Sequence, residues 1–133
     1  MTRLALFALA AVAAVSVVPP PVVAQPAAAQ GRNDNCFRLS MLQSTRPDGD
    51  RRIYARVGVN TFYRIDLAHR CSSLPYESNH LVLSPTPGSD LICNPIDLDL
   101  KVSDNGALEP CFIKSITRLT PEEAAQIPRK SKP

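Results

Sequence analysis

"RIYARVGVNTFYRIDL", residues 52–67, decides the fold. Ile53, Ala55 and Val57 alternate with Arg52, Tyr54 and Arg56. After a tight link at residues 58–60, Tyr63, Ile65 and Leu67 alternate with Phe62, Arg64 and Asp66. A period of two places one set of side chains on each face of a pleated strand, so two half-buried strands joined by a short turn are predicted. Such a turn joins antiparallel neighbours. Upstream, Phe37, Leu39 and Met41 alternate within residues 36–44, and "RPDGD" at 46–50 supplies a Pro-Asp-Gly turn. The three segments together predict an antiparallel meander.

The second half repeats the logic. Ile96, Leu98, Leu100 and Val102 alternate with Asp97, Asp99 and Lys101, "SDNGALEP" at 103–110 carries an Asn-Gly turn signal, and residues 111–119 return as a strand. Between the halves only His80 to Leu83 reads as a strand. "SPTPG" at 84–88 is a two-proline loop, and the 72–90 region is the irregular surface best suited to variation or binding. In "TPEEAAQI", Thr120 is the N-cap, Pro121 the first helical residue and Glu123 the third position of a capping box. Pro128 ends this helix after about two turns, with Ala124 and Ile127 toward the sheet. The fold class is therefore mainly β: a small antiparallel sheet folded as a sandwich or partly open barrel of about five to six strands, with one short C-terminal helix.

Four cysteines, Cys36, Cys71, Cys93 and Cys111, are spaced 35, 22 and 18 residues apart. No C-x-x-C pair occurs and only His69 and His80 could assist, so neither zinc nor any other cofactor is implied. Behind an export signal an even count reads as two disulfides. Cys36 opens the first strand of the meander and Cys71 follows the third, which separates them by about eight residues, or ~25 Å at ~3.3 Å per residue. A disulfide spans only ~7 Å between Cα atoms. Cys93 and Cys111 fall at opposite ends of a hairpin by the same reasoning. Two pairings survive: Cys36 with Cys111 plus Cys71 with Cys93, or Cys36 with Cys93 plus Cys71 with Cys111. The first is preferred because its 71–93 loop is short and costs less entropy to close. The Cys-Phe steps at 36–37 and 111–112 echo one another, but the apolar positions that follow them do not register, so the echo is not read as a duplication.

The chain opens with Arg3, an apolar run from Leu4 to Val18, three prolines, and small-residue sites ending at Ala24 or Ala29. A run of that length is too short to span a bilayer comfortably and has the order of a cleaved signal peptide, residues 1–24. A disordered linker at 25–32, a stapled β domain at 33–128 and a solvated basic tail at 129–133 complete the expected organisation, with no transmembrane anchor after cleavage and a periplasmic or secreted location. Losing Arg3 leaves fourteen basic against twelve acidic side chains and no Trp, a balance that does not indicate a nucleic-acid partner.

A Cys-Phe opening, "YRIDL" at 63–67 followed by Cys71, Cys93 with Asp97, "PC" at 110–111 and "RLTPEEAA" at 118–125 resemble a family of small exported four-cysteine bacterial proteins of unknown function. The resemblance spans residues 33–127 and implies export and the domain boundaries, but no activity.

Two functional readings follow. The first is a non-enzymatic binding or structural module of the envelope, engaging a protein or glycan through a basic face of Arg52, Tyr54, Arg56, Phe62 and Arg64 or through the 72–90 region. The second is a small hydrolase using Asp66, His69, Asp97 or Asp99, which requires those side chains to share a pocket. No G-x-S-x-G elbow or other catalytic motif supports it. The first reading is preferred.

Overall fold

The computed structural model describes residues 35–133; the expected signal peptide, the linker at 25–32 and the first two residues of the expected β domain lie outside the described residues. Within them, nine strands form three antiparallel sheets with one short helix, and no barrel closes. The strands are β1 (Phe37–Arg38), β2 (Leu42–Pro47), β3 (Arg52–Val57), β4 (Thr61–Leu67), β5 (His80–Pro85), β6 (Leu91–Ile92), β7 (Leu98–Asp104), β8 (Ala107–Pro110) and β9 (Ile113–Arg118). The helix is α1 (Pro121–Ala125).

The meander forms, but its first strand is Leu42–Pro47 and not residues 36–44, so Arg46 and Pro47 of the expected turn belong to β2. A four-stranded sheet has the order β2-β3-β4-β9, with Ile53 opposite Ile65 and Ala55 opposite Tyr63. Ile53, Ala55, Val57, Tyr63, Ile65 and Leu67 all point to the core face and are buried. Against them pack Leu98, Leu100 and Val102 of a three-stranded sheet ordered β5-β7-β8. Two half-buried sheets thus cover each other's apolar faces in a sandwich-like arrangement. The short β1-β6 ribbon contributes Phe37 and Ile92 to the same core.

Three local departures from simple alternation matter. Residues 36–44 are not one strand: Leu39–Met41 wind into a 3-10 turn, and Met41 is half exposed. Asp90, distant in sequence, takes the donors that would have extended the strand. Its backbone carbonyl accepts from Leu39 N at 2.9 Å, and its carboxylate accepts from Ser40 N at 2.9 Å and Ser40 Oγ at 2.6 Å. Similarly, Pro95–Asp97 forms a 3-10 turn ahead of β7, leaving Ile96 80% exposed. Pro95 favours the turn's first position, and Asp97 Oδ2 accepts from Cys93 N at 2.9 Å and Asn94 N at 2.8 Å. Finally, Asn105 and Gly106 both adopt positive φ, 47° and 88°. This is the conformation that two-residue hairpins require. The strand they return is β8, whereas residues 113–118 cross to the other sheet and pair with β4.

That crossing decides the disulfides. The structure joins Cys36 to Cys93 and Cys71 to Cys111, with Cα separations of 4.1 and 5.7 Å. The preferred pairing of Cys36 with Cys111 and Cys71 with Cys93 is corrected to the other surviving alternative. Because β9 runs antiparallel to β4, the start of β9 lies beside the end of β4: Leu67 faces Ile113, and Ala68 N donates to Phe112 O at 2.8 Å. Cys71 and Cys111 flank that end. Cys36 lies at the opposite end, where its carbonyl accepts from Tyr63 Oη at 3.1 Å. It faces Cys93 one step beyond the Phe37–Ile92 pair. Loop-closure entropy favours short loops but is a weak logarithmic term, and strand adjacency outweighs it.

The C-terminus also folds onto the domain. Thr120 N donates to Glu123 Oε2 at 2.8 Å, and Glu123 N to Thr120 Oγ1 at 3.2 Å, completing the capping box. Ala124 and Ile127 pack with Tyr54, Phe62 and Leu119 on the outer face of the four-stranded sheet. The basic tail expected to be solvated forms a 3-10 turn, Arg129–Ser131. Ser131 is 1% exposed and donates to Asp48 Oδ1 at 2.8 Å. A hydroxyl that meets a carboxylate at a buried position outweighs the solvation of its basic neighbours.

Candidate functional site

The basic side chains do share one face. Tyr54 pairs with Arg64, Arg56 with Phe62, and Arg52 with Asp66, so all six project from the outer side of β3 and β4. The protein uses much of that face itself. Helix α1 buries Tyr54, and Lys132 Nζ stands 6.0 Å from the centre of the Phe62 ring. Arg52 Nε and Arg64 Nε each donate to a separate oxygen of Asp66, both at 2.9 Å. The hydrogen bond to Asp66 raises the Arg52 pKa above its already high ordinary value. Arg56 is half-buried, its Nε lacking both solvent and a hydrogen-bond acceptor, as does the hydroxyl of Ser44 opposite it.

The proposed acid–base set is not brought together. Asp66 lies on the outer face of the four-stranded sheet, bound by two guanidinium groups. Asp99 lies on the outer face of the three-stranded sheet and accepts from Lys101 Nζ at 2.7 Å. The sandwich core separates these faces. Asp97 is not on a strand with Asp99 at all, because its carboxylate caps the 93–97 turn, and those backbone donors hold its pKa below the usual aspartate value. His69 is exposed beyond the end of β4.

Two carboxylates that sequence reasoning missed act as loop clamps. Asp90 fixes the turn after β1, and hydrogen bonds from Ser40 hold its pKa down. Glu109, on the edge strand β8, gathers Ser72 N, Ser72 Oγ and Ser73 N at 3.1, 3.0 and 2.9 Å, and hydrogen bonding from Ser73 first and Ser72 second depresses its pKa. Asn79 Nδ2 then donates to Ser73 O at 2.8 Å. With the Cys71–Cys111 bond, these contacts tie down a stretch that contains no regular structure between β4 and β5. The pattern that could have flagged Glu109 is its place opposite Val102, a charge on the inward side of an edge strand.

The tied-down stretch borders an opening. On one side of the sandwich the chain passes between the sheets through Cys111; on the other, edge strands β2 and β5 do not pair. Between them lies a cleft of about 690 Å³. Leu74, Leu81 and Val102 form its apolar floor, and Arg46, Tyr76, Glu77, His80 and Lys130 stand around its rim. A second groove, about 580 Å³, opens beside Pro85, Pro95, Ile96 and Phe112. Ile96 and Phe112 are among the more exposed large apolar side chains of the described residues. Among those residues, no group of three or more His, Cys, Asp or Glu side chains could hold a metal ion.

Fold and bonding together define a small β-sandwich-like domain closed by two disulfides. The chain belongs to the family of unknown function DUF6491, whose model matches residues 1–132. No curated protein and no solved structure matches it.

Proposed function

We propose that this protein is an exported, non-enzymatic binding module of the bacterial envelope, working in the periplasm or after secretion. The observation that carries the reading is the 71–79 segment. Lacking helix or strand, it is nevertheless held by a disulfide, the Glu109 clamp and the Asn79–Ser73 bond at the rim of an open cleft. Ordering an irregular surface before it meets a partner lowers the entropic cost of binding. Two disulfides suit an oxidising compartment, and among the described residues no helix is long and apolar enough to cross a membrane. The partner class is an envelope protein or glycan.

The test is fractionation of the expressed full-length chain, followed by cross-linking in intact cells with wild type, Tyr76→Ala/Glu77→Ala, and Arg52→Ala/Arg64→Ala. Recovery from the envelope fraction with all four cysteines oxidised, and partners lost in the Tyr76→Ala/Glu77→Ala variant, is the expected result. A cytoplasmic protein with four reactive thiols would overturn the reading.

A further inference from the structure

We infer that the cleft between β2 and β5 is a binding site for a small amphipathic organic anion, a single apolar chain or ring system carrying one carboxylate or phosphate. The inference rests on the reading of the protein as a binding module and gives that module a ligand class.

The cleft follows from topology. A sandwich whose edge strands do not pair must either fill the space between them with its own side chains or leave it open. Thr45 and Pro47 occupy the core-facing positions of β2, since they pair with Ala55 and Ile53. Neither reaches far enough to close against Leu81 of β5. About 690 Å³ remains, within the usual range for small-molecule sites. Its floor is the side of the core itself, Leu81 beside Val102 in register with Leu74 over them. Leu74 and Val102 are already covered by the core, so the apolar surface left for a ligand to cover is that of half-buried Leu81 and exposed Tyr76.

The head-group end is set by charge. Arg46 and Lys130 border the cleft from different elements: Arg46 opposite Tyr54 on the outer side of the open edge strand β2, from where its long side chain can reach the rim, and Lys130 in the C-terminal turn. Neither takes part in any of the ion pairs among the described residues, whereas Arg52, Arg64 and Arg70 each meet a carboxylate. Glu77 supplies the only acidic side chain of the lining, so an incoming anion meets two unpaired cations against one carboxylate. Tyr76, 63% exposed, offers an aromatic surface at the mouth. The Ser131–Asp48 bond holds the turn that carries Lys130, and the Asn79–Ser73 bond holds the Tyr76 loop, so both sides of the rim are placed before a ligand arrives. The other two large openings lack this combination. The Ile96–Phe112 groove carries one acid, Asp99, already paired with Lys101, and the charged cleft at Asp50 and Arg52 has no apolar floor beyond Leu67.

The full-length oxidised protein, labelled with 15N, is titrated with decanoate, decanol and inorganic phosphate and followed by amide chemical shifts. The expected result is saturable one-to-one binding of decanoate, with shifts concentrated at Tyr76, Leu81, Val102 and Lys130. Decanol should bind at least several-fold more weakly, and phosphate alone should not saturate. Arg46→Gln/Lys130→Gln, two surface changes checked for unchanged melting, should weaken decanoate about tenfold, as two part-exposed ion pairs would, and leave decanol unaltered. The inference is overturned if decanoate moves no cleft resonance, if it binds the double variant as well as wild type, or if phosphatidylglycerol vesicles bind while free decanoate does not. An empty cleft in a protein that still captures its envelope partner would sink this inference alone. Loss of both would remove the module reading as well.

Discussion

Removing Cys71 and Cys111 together tests the central feature of the fold. Both are buried at the point where β9 leaves one sheet for the other, so alanine is the suitable replacement because serine would bury an unpaired hydroxyl. The bond closes a loop of 40 residues. Chain entropy for that loop is about 13 cal/mol/K, which amounts to about 4 kcal/mol at 25 °C. The Cys36–Cys93 loop overlaps it between residues 71 and 93, so the unfolded chain is already restricted and the net loss falls to roughly 3.5 kcal/mol. That is a large share of the stability of a small domain and corresponds to a fall in Tm of roughly 15–30 °C. Thermal and urea unfolding followed by circular dichroism would measure it. Alkylation without reductant provides the second readout: Cys36 and Cys93 should remain unreactive in the Cys71→Ala/Cys111→Ala variant. Labelling of both would mean that each had lost its partner and would refute the pairing. Intact Cys36–Cys93 with a Tm within about 5 °C of wild type would refute the energetic argument.

Other outcomes follow from the same coordinates. Ile65→Ala, at a fully buried site facing Ile53 and Ile116, should cost about 2–5 kcal/mol in urea unfolding through the cavity it leaves. Deleting residues 129–133 should destabilise the domain by about 1–3 kcal/mol through loss of the Ser131–Asp48 hydrogen bond, whereas a solvated tail could be removed without measurable change. Acid should destabilise the fold. Asp90 and Asp97 lie below their ordinary 3.8 and Glu109 below its ordinary 4.5, so the unfolded chain takes up protons first as pH drops. Their contribution is therefore complete above about pH 5 and lost as pH falls through the unfolded and then the folded values. The urea midpoint at pH 7, 5 and 3.5 should decline mainly over the last interval, and Glu109→Gln should flatten part of that decline; a midpoint unchanged at pH 3.5 would contradict the clamp assignment.

The alternating run at 52–67 determined the β3–β4 hairpin and its core face on its own, because a period of two puts Ile53, Ala55, Val57, Ile65 and Leu67 on the side that can be buried together. The Thr120 cap, the Asn-Gly turn and the separation of Cys36 from Cys71 were equally legible, since each depends on neighbours in the chain or on strand length. Which sheet β9 joins was not. Both hairpin return and crossing satisfy the same alternation, and only its antiparallel seat beside β4 brings Cys111 to Cys71. Long-range donors and acceptors likewise escaped the sequence: Asp90 breaks the first strand from fifty residues away, Glu109 gathers Ser72 and Ser73, and Asp48 draws Ser131 inward. The cleft belongs to this second group. Arg46, Tyr76 and Lys130 carry no shared motif, and they meet because two edge strands distant in sequence lie side by side without pairing.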